Sequence, residues 1–347
     1  MRKHLLSLTV IIFLLFSTLV WAEDNAQTKY YYVGSISGNL PMQMELSLDG
    51  TELRGSYYYD SKGIPLSLLG EVNLKESTIK LSEIGDKKKK TGEFNGTFTS
   101  IPEGMGLTIE GTWSSPDGNT KLPFKLTKVA NYAFSVIKQG KYSEAKWSYP
   151  LLISKNEVIQ NISTKLKDSM KPQIDEYQKD AKEGFMSDLI TSTWLFTYDY
   201  SIEYYSDELL SFTGLVYSYT GGAHGNTYFV SSNYWINNED SKLLKMADLF
   251  KKETNYVKVI SDLIVKDLKK QKAGWVVDGE ITSLKEDEIG PFALSPRGIQ
   301  FAFAPYAVGP YSDGAFFVTL AYEDLKDIID TEGPLSQFIG SSDTESQ

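Results

Sequence analysis

The sequence predicts two folded parts of different class. The first is an all-β N-terminal domain, an antiparallel meander closing into a barrel-like sheet, and the second is an α+β C-terminal domain. Three observations carry this. Apolar and polar residues alternate in short runs between residues 30 and 128, the period of half-buried strands. Turn residues such as Asp49-Gly50 and Pro116-Asp117-Gly118-Asn119 punctuate those runs. From about residue 132 the pattern changes to a mixture of helical stripes and aromatic strands.

Ahead of both parts, residues 1–22 read as a secretory leader. Arg2 and Lys3 make a basic start, Leu5 to Val20 is a largely apolar run, and Val20-Trp21-Ala22 is a small-x-small cleavage site. The expected location is therefore the periplasm or the exterior. The chain contains no cysteine, which excludes disulfides and attachment through a lipidated thiol. Its formal net charge is −10, and losing Arg2 and Lys3 with the leader removes two more positive charges. That balance argues against nucleic acid as a partner and favours a basic one. No later segment is apolar enough to span a bilayer as a helix.

In the N-terminal domain, Leu40, Met42, Met44, Leu46 and Leu48 alternate with Gln43, Glu45 and Ser47, and the turn at Gly50 returns the chain through Leu53, Tyr57 and Tyr59. Runs at 64–74, 78–83, 92–98, 107–113 and 121–127 repeat the theme, giving about eight strands. Closure would remove exposed edges. The lysines at 87–90 read as a solvated hairpin tip. Residues 129–150 read as a connector entering a strand.

The second domain, 132–330, opens with Ser154-x-x-Glu157, a capping box ahead of the stripe Val158, Ile159, Ile162, Leu166 and Met170, with Pro172 expected to interrupt the helix. Residues 192–205, 209–219 and 227–236 read as strands. A turn-helix at 243–250 follows, then a helix on Tyr256, Val259, Ile260, Leu263, Ile264 and Leu268. Strands at 299–303 and 315–320 flank a loop rich in Pro, Gly and Tyr, a helix at 322–329 closes the domain, and 331–347 is expected to be a flexible tail.

Chemistry is scarce. Once the leader is gone, His224 is the sole histidine, and no H-E-x-x-H, cysteine cluster, G-x-S-x-G elbow, Walker or dinucleotide motif occurs. No metal site and no cofactor are implied. Carboxylates at Asp199, Glu203, Asp207 and Glu208 leave a glycan hydrolase as an alternative, and Tyr57, Tyr59, Phe94 and Trp113 would line a carrier barrel if they do not fill its core. The more unusual stretches are loops. Gly221-Gly222-Ala223-His224-Gly225 reads as a sharp turn holding one imidazole, and Pro305-Tyr306 to Pro310-Tyr311, shaped by Gly309 and Gly314, reads as a stiff loop bearing two rings.

Together with Leu244-x-x-Ala247-Asp248-Leu249-Phe250, these two loops resemble the DUF3298 family over about 132–330, and residues 132–220 resemble the accompanying DUF4163 region. The module is found in RsiV-type anti-sigma factors and beside the catalytic domain of PdaC-type peptidoglycan deacetylases. The resemblance implies an α+β fold, an exported location and either lysozyme binding or a cell-wall setting. The expected function is non-catalytic recognition of a lysozyme-like hydrolase or of peptidoglycan, with His224, Tyr306, Pro310 and Tyr311 as the contact residues.

Overall fold

A computed structural model describes residues 28–85, 88–99, 105–139, 142–186, 193–237 and 239–339. The expected leader, Lys87 and residues 340–347 lie outside the described residues.

Eight strands follow one another: β1 Thr28–Ile36, β2 Leu40–Asp49, β3 Glu52–Tyr59, β4 Leu66–Asn73, β5 Thr78–Ile84, β6 Lys90–Phe98, β7 Thr108–Ser114 and β8 Lys121–Gln139. Each pairs antiparallel with the next, and β1 pairs back onto β8 from Tyr30↔Asn131 to Ile36↔Phe124, closing an up-and-down barrel. The period-2 reading of β2 holds for Met42, Met44, Leu46 and Leu48, which are buried; Leu40, at the open start of the strand, is 40% exposed instead, and Gln43 on the opposite face is buried against β10. Gly50 makes the β2–β3 turn at φ +59°, where a side chain is costly.

The barrel interior is a packed core. The rings of Tyr57 and Phe94 meet edge-on at 5.2 Å, and Phe94 meets Phe124 the same way at 5.1 Å. Within this cluster, Glu83 accepts from the Tyr57 hydroxyl at 2.6 Å and the Trp113 indole N–H at 2.9 Å. Elsewhere in the barrel the Lys128 ammonium donates to the Met105 carbonyl at 2.6 Å, and the Tyr32 hydroxyl donates to Gly106 O at 3.2 Å. Tyr57 and Phe94, the candidate carrier lining, therefore fill the space a ligand would need.

Residues 129–139 and 143–150 are sheet rather than connector. Strand β8 is 19 residues long, and from Ala130 it pairs with β9, Ser143–Leu152. Helix α1, Glu157–Met186, then crosses over, and β10, Trp194–Tyr205, lies parallel to β9. Parallel strands need such a crossover. The antiparallel strands β11 Leu209–Tyr219, β12 Asn226–Ile236 and β13 Ser241–Leu243 complete a 13-stranded sheet that runs in sequence order.

Helix α1 is capped by Asn156, whose side chain accepts from Val158 N at 2.9 Å, instead of by a Ser154–Glu157 box; Ser154 accepts from Asn156 N at 3.0 Å. The helix also runs through Pro172 instead of stopping there. Its stripe of Ile159, Ile162, Leu166, Met170, Ile174 and Tyr177 is buried on the even face of β10, with Tyr177 stacked on Phe196. Burial of each large side chain contributes about 2 kcal/mol, enough to hold the helix despite the proline.

The other face of the sheet receives a second, three-stranded sheet: β14 Phe292–Ser295, β15 Gly298–Phe303 and β16 Phe316–Leu320. Side chains of β11 and β12 satisfy the edge of β14. Leu294 N donates to Ser211 Oγ at 2.8 Å, Phe292 N to Ser231 Oγ at 3.1 Å, and Asn233 Nδ2 to Phe292 O at 2.8 Å. Helix α2, Tyr256–Gln271, packs Ile260, Ile264 and Leu268 into this third core. The tail expected to be loose from Thr331 is docked as far as residue 339: Leu335 is buried, and Phe338 stacks on Tyr322 at 5.1 Å.

Barrel and C-terminal body meet along a seam. Gln43 of β2 stands in for a strand neighbour where β10 bulges between Ile202 and Tyr204, accepting from Tyr205 N at 3.0 Å and donating to Tyr205 O at 3.1 Å. The Tyr58 hydroxyl adds a bond to Glu203 O at 3.0 Å.

Candidate functional site

The β11–β12 turn and the β15–β16 loop converge because β14–β16 docks on the face of β11 and β12. Gly221 and Gly222 carry the turn at φ +102° and +94°. At Gly225 a Cβ would lie 2.4 Å from the Tyr217 ring, so only glycine lets that ring rest on the turn. The carbonyl of Gly225 then gathers two side chains from distant parts of the sequence, His224 beside it and Tyr311, 86 residues beyond it. The Tyr311 hydroxyl donates to it at 3.1 Å, and His224 Nδ1 lies 3.1 Å from it, which assigns the proton to Nδ1. The imidazole stacks on the Tyr311 ring at 3.7 Å and 19°. Tyr306 completes the trio, 5.5 Å from Tyr311 and 6.3 Å from His224.

The loop carrying the tyrosines is held from beneath. Val308 is buried, and Asp313 Oδ2 accepts from Gly274 N at 3.0 Å. A Cβ on Gly309 would meet that same Asp313 oxygen at 2.6 Å. Pro310 precedes the short turn Tyr311–Asp313, and Gly314 leaves it at φ +75°. Tyr306 sits at φ +70°, a region that disfavours side chains, and its ring is 53% exposed. The result is a small, pre-ordered aromatic surface with one ring projecting, His224 and Pro310 exposed and Tyr311 half-buried.

Sequence reasoning missed Tyr217, Asp313 and Gly274. The Tyr217 ring lies against Gly225, and burial, with the neighbouring Tyr311 and Tyr219, pushes its hydroxyl up. Strand alternation alone does not say which face of β11 would be covered.

The carboxylates considered for hydrolysis lie elsewhere and are not gathered. Asp199 and Glu203 occupy the odd face of β10. Asp199 accepts from Ser148 Oγ at 2.6 Å and Glu203 from the Thr213 hydroxyl. Burial raises both carboxyls; Lys29 partly opposes this for each, and Glu45 reinforces it for Glu203. Asp207 and Glu208 are exposed at the β10–β11 turn. Nearby on the seam, burial takes Asp60 up to about 6, and its Oδ1 has no hydrogen-bond partner. Among the described residues, no group of three or more His, Asp or Glu side chains is placed to hold a metal ion.

Comparison with known proteins divides the site between two regions. Residues 137–227 match the family described as Deacetylase PdaC, and residues 247–323 match DUF3298, a protein family of unknown function. The chain therefore carries a DUF3298 domain beside a PdaC-type region, behind a barrel that neither match covers. His224 comes from the first matched region, and Tyr306 and Tyr311 from the second. A curated relative, the peptidoglycan-N-acetylmuramic acid deacetylase PdaC of Bacillus subtilis (strain 168), is 26% identical over 198 residues, which is 56% of this chain and 41% of that protein. The chain thus spans less than half of that relative's length. Two solved structures are also similar. A DUF3298 family member from Bacteroides fragilis NCTC 9343 has 17% identity and a TM-score of 0.40, covering 58% of this chain and 94% of its own. A DUF3298 family protein from Pseudomonas aeruginosa PAO1 has 16% identity and a TM-score of 0.39, covering 58% and 93%.

Proposed function

We propose that this chain is a non-catalytic, exported binding protein of the bacterial cell envelope, and that the trio of His224, Tyr306 and Tyr311, with Pro310 beside it, recognises the glycan of peptidoglycan. One observation carries the reading: a stacked His–Tyr pair next to a tyrosine that is 53% exposed and fixed in a strained backbone conformation. Flat ring faces suit the apolar C–H face of a pyranose, and rings already ordered lose little entropy on contact. Two further findings support it. The curated relative's name places that protein's substrate in peptidoglycan, and the leader-like segment at 1–22 fits export.

The test is co-sedimentation of the purified chain with peptidoglycan sacculi. Tyr311→Ala and Tyr306→Ala are each expected to weaken binding about tenfold or more, equivalent to about 1.4 kcal/mol, while the thermal midpoint of Tyr306→Ala moves by only a few degrees. Equal sedimentation of the double variant and the wild type would sink the proposal. The net charge of −10 favours a second reading, a basic lysozyme-like partner. Salt-sensitive binding of such an enzyme, without binding to sacculi, would replace the first reading. Release of soluble muropeptides that disappears in Glu203→Gln would replace both with catalysis.

A further inference from the structure

Among the described residues, strand β8 leaves the barrel with one edge uncovered. Its last partner on β1 is Asn131, opposite Tyr30; from residue 132 to 139 it pairs with β9 alone among the described residues. Ile153 N donates to Val129 O at 2.7 Å, which makes Val129 a hydrogen-bonded position on the β9 side. By alternation, Ala133, Ser135, Ile137 and Gln139 also bond to β9. The N–H and C=O groups of Phe134, Val136 and Lys138 therefore point to the open edge.

This edge lacks the usual protection. Exposed sheet edges in soluble proteins are normally blunted by charge, proline or a bulge. Here Phe134 is 43% exposed and Val136 40% on one face, and Ile137 is 38% exposed on the other. The stretch carries a single charge, Lys138, which stands opposite Glu144 of β9.

We infer that this edge pairs antiparallel with the same edge of a second copy of the chain, about a two-fold axis at Val136. That axis sets the outward-facing positions against one another, as an antiparallel ladder requires. Val136 meets Val136 of the other copy, Phe134 meets Lys138, and Ser135 meets Ile137. An apolar pair meets at the axis, the lysine stem lies along a ring on either side of it, and no two like charges face each other. That charge pattern matters in a chain of net charge −10, where most surfaces would repel their own copy. The contact is isologous and closes at two copies, so it yields a dimer and not a fibre. The short paired stretch makes it a small, reversible interface.

The chain has no cysteine, so Val136→Cys places its only thiols at the axis. The Cα atoms of a hydrogen-bonded antiparallel pair are about 5.5 Å apart, within disulfide range. Under mild oxidation this variant is expected to form a covalent dimer at least tenfold faster than Glu110→Cys, an exposed position on β7. Sedimentation of the wild type is expected to show a concentration-dependent dimer. Val136→Lys, which sets like charges across the axis, and Val136→Pro, which removes only an outward-facing N–H, should both abolish it. Far-UV circular dichroism checks that the variants fold. A wild type that stays monomeric at every concentration, with Val136→Cys no faster than the control, would overturn the inference. So would slow hydrogen exchange at Phe134, Val136 and Lys138 in a strictly monomeric sample, which would assign the edge to another segment of the same chain. A dimer that persists in both Val136→Lys and Val136→Pro would place the interface elsewhere.

Discussion

Aromatic rings gather in two places in this molecule, with opposite results. In the barrel, Tyr57, Phe94 and Phe124 interlock edge-to-face and are almost wholly buried. At the meeting of the two C-terminal loops, His224, Tyr306 and Tyr311 also gather, but His224 and Tyr306 are exposed and Tyr311 is half-buried. The difference lies in the backbone. Strand alternation sends every second ring inward, where hydrophobic burial holds it. In the loops, backbone in the left-handed region and hydrogen bonds to Gly225 O hold the rings instead. The first cluster is a source of stability, whereas the second is set up at some expense of it.

The largest way to break the comparison is to remove a ring from each cluster. Phe94→Ala leaves a cavity between Tyr57 and Phe124 and should cost about 3–5 kcal/mol, measured by urea unfolding. Tyr311→Ala loses a stack and one hydrogen bond and should cost about 1–2 kcal/mol. Comparable losses at both sites would mean that the loop cluster is a core in its own right.

These clusters were unequally legible in the sequence. The barrel rings could be read because β2 and β3 have one wet face and one dry face, and this prints a period of two. The course of β8 could not be read in the same way. Residues 129–139 are VANYAFSVIKQ, with no Gly or Pro to mark the barrel's edge and no clean alternation, since the strand changes neighbours midway. The parallel pairing of β9 with β10 depends on a 30-residue helix crossing over, which no local pattern records. For the site, the glycines and prolines marked both loops as stiff, and the family resemblance linked them. Their contact rests on Ser211, Ser231 and Asn233 satisfying the edge of β14, and those residues look like ordinary strand polars in the sequence.

The seam between barrel and body is intermediate: Tyr31, Tyr58 and Tyr132 bury their rings there while their hydroxyls share the space with Glu45, Asp60 and Glu203. Its pH response sharpens the contrast. Asp60 is raised to about 6 by burial, against an unfolded value of about 3.9. A carboxyl raised in the folded state favours folding when protonated, so its contribution is present in full below about pH 4 and lost as the pH rises through about 6. Asp199 and Glu203 shift in the same direction. The half-buried Glu93, pulled down by hydrogen bonds from Asn95 and Lys90, and Asp248, where an opposing effect of burial is outweighed by Lys242 and the Lys245 N–H, act in the opposite sense. Comparing wild type with Asp60→Asn isolates one group. The variant should be more stable at pH 7.5 by about 1 kcal/mol, after allowing for solvent screening, and the gap should close by pH 4. A gap that widens on acidification would show that Asp60 is held as a carboxylate.

The smallest effect tests whether the projecting ring is strained into place. Tyr306 is at φ +70°. A left-handed conformation costs a residue with a Cβ about 1 kcal/mol relative to glycine. Tyr306→Ala keeps that strain and removes the ring, while Tyr306→Gly removes both. Glycine makes the unfolded chain more flexible by an amount worth about 0.4–1 kcal/mol, so Tyr306→Gly should match or exceed Tyr306→Ala in stability, by up to about 0.5 kcal/mol. In an ordinary extended or helical position glycine would be the less stable of the two. Both variants should lose the same affinity for sacculi, because both lose the same ring. If alanine proves clearly more stable than glycine, the backbone at 306 is not strained in solution, and the exposed tyrosine is a passive surface residue rather than a ring held out for contact.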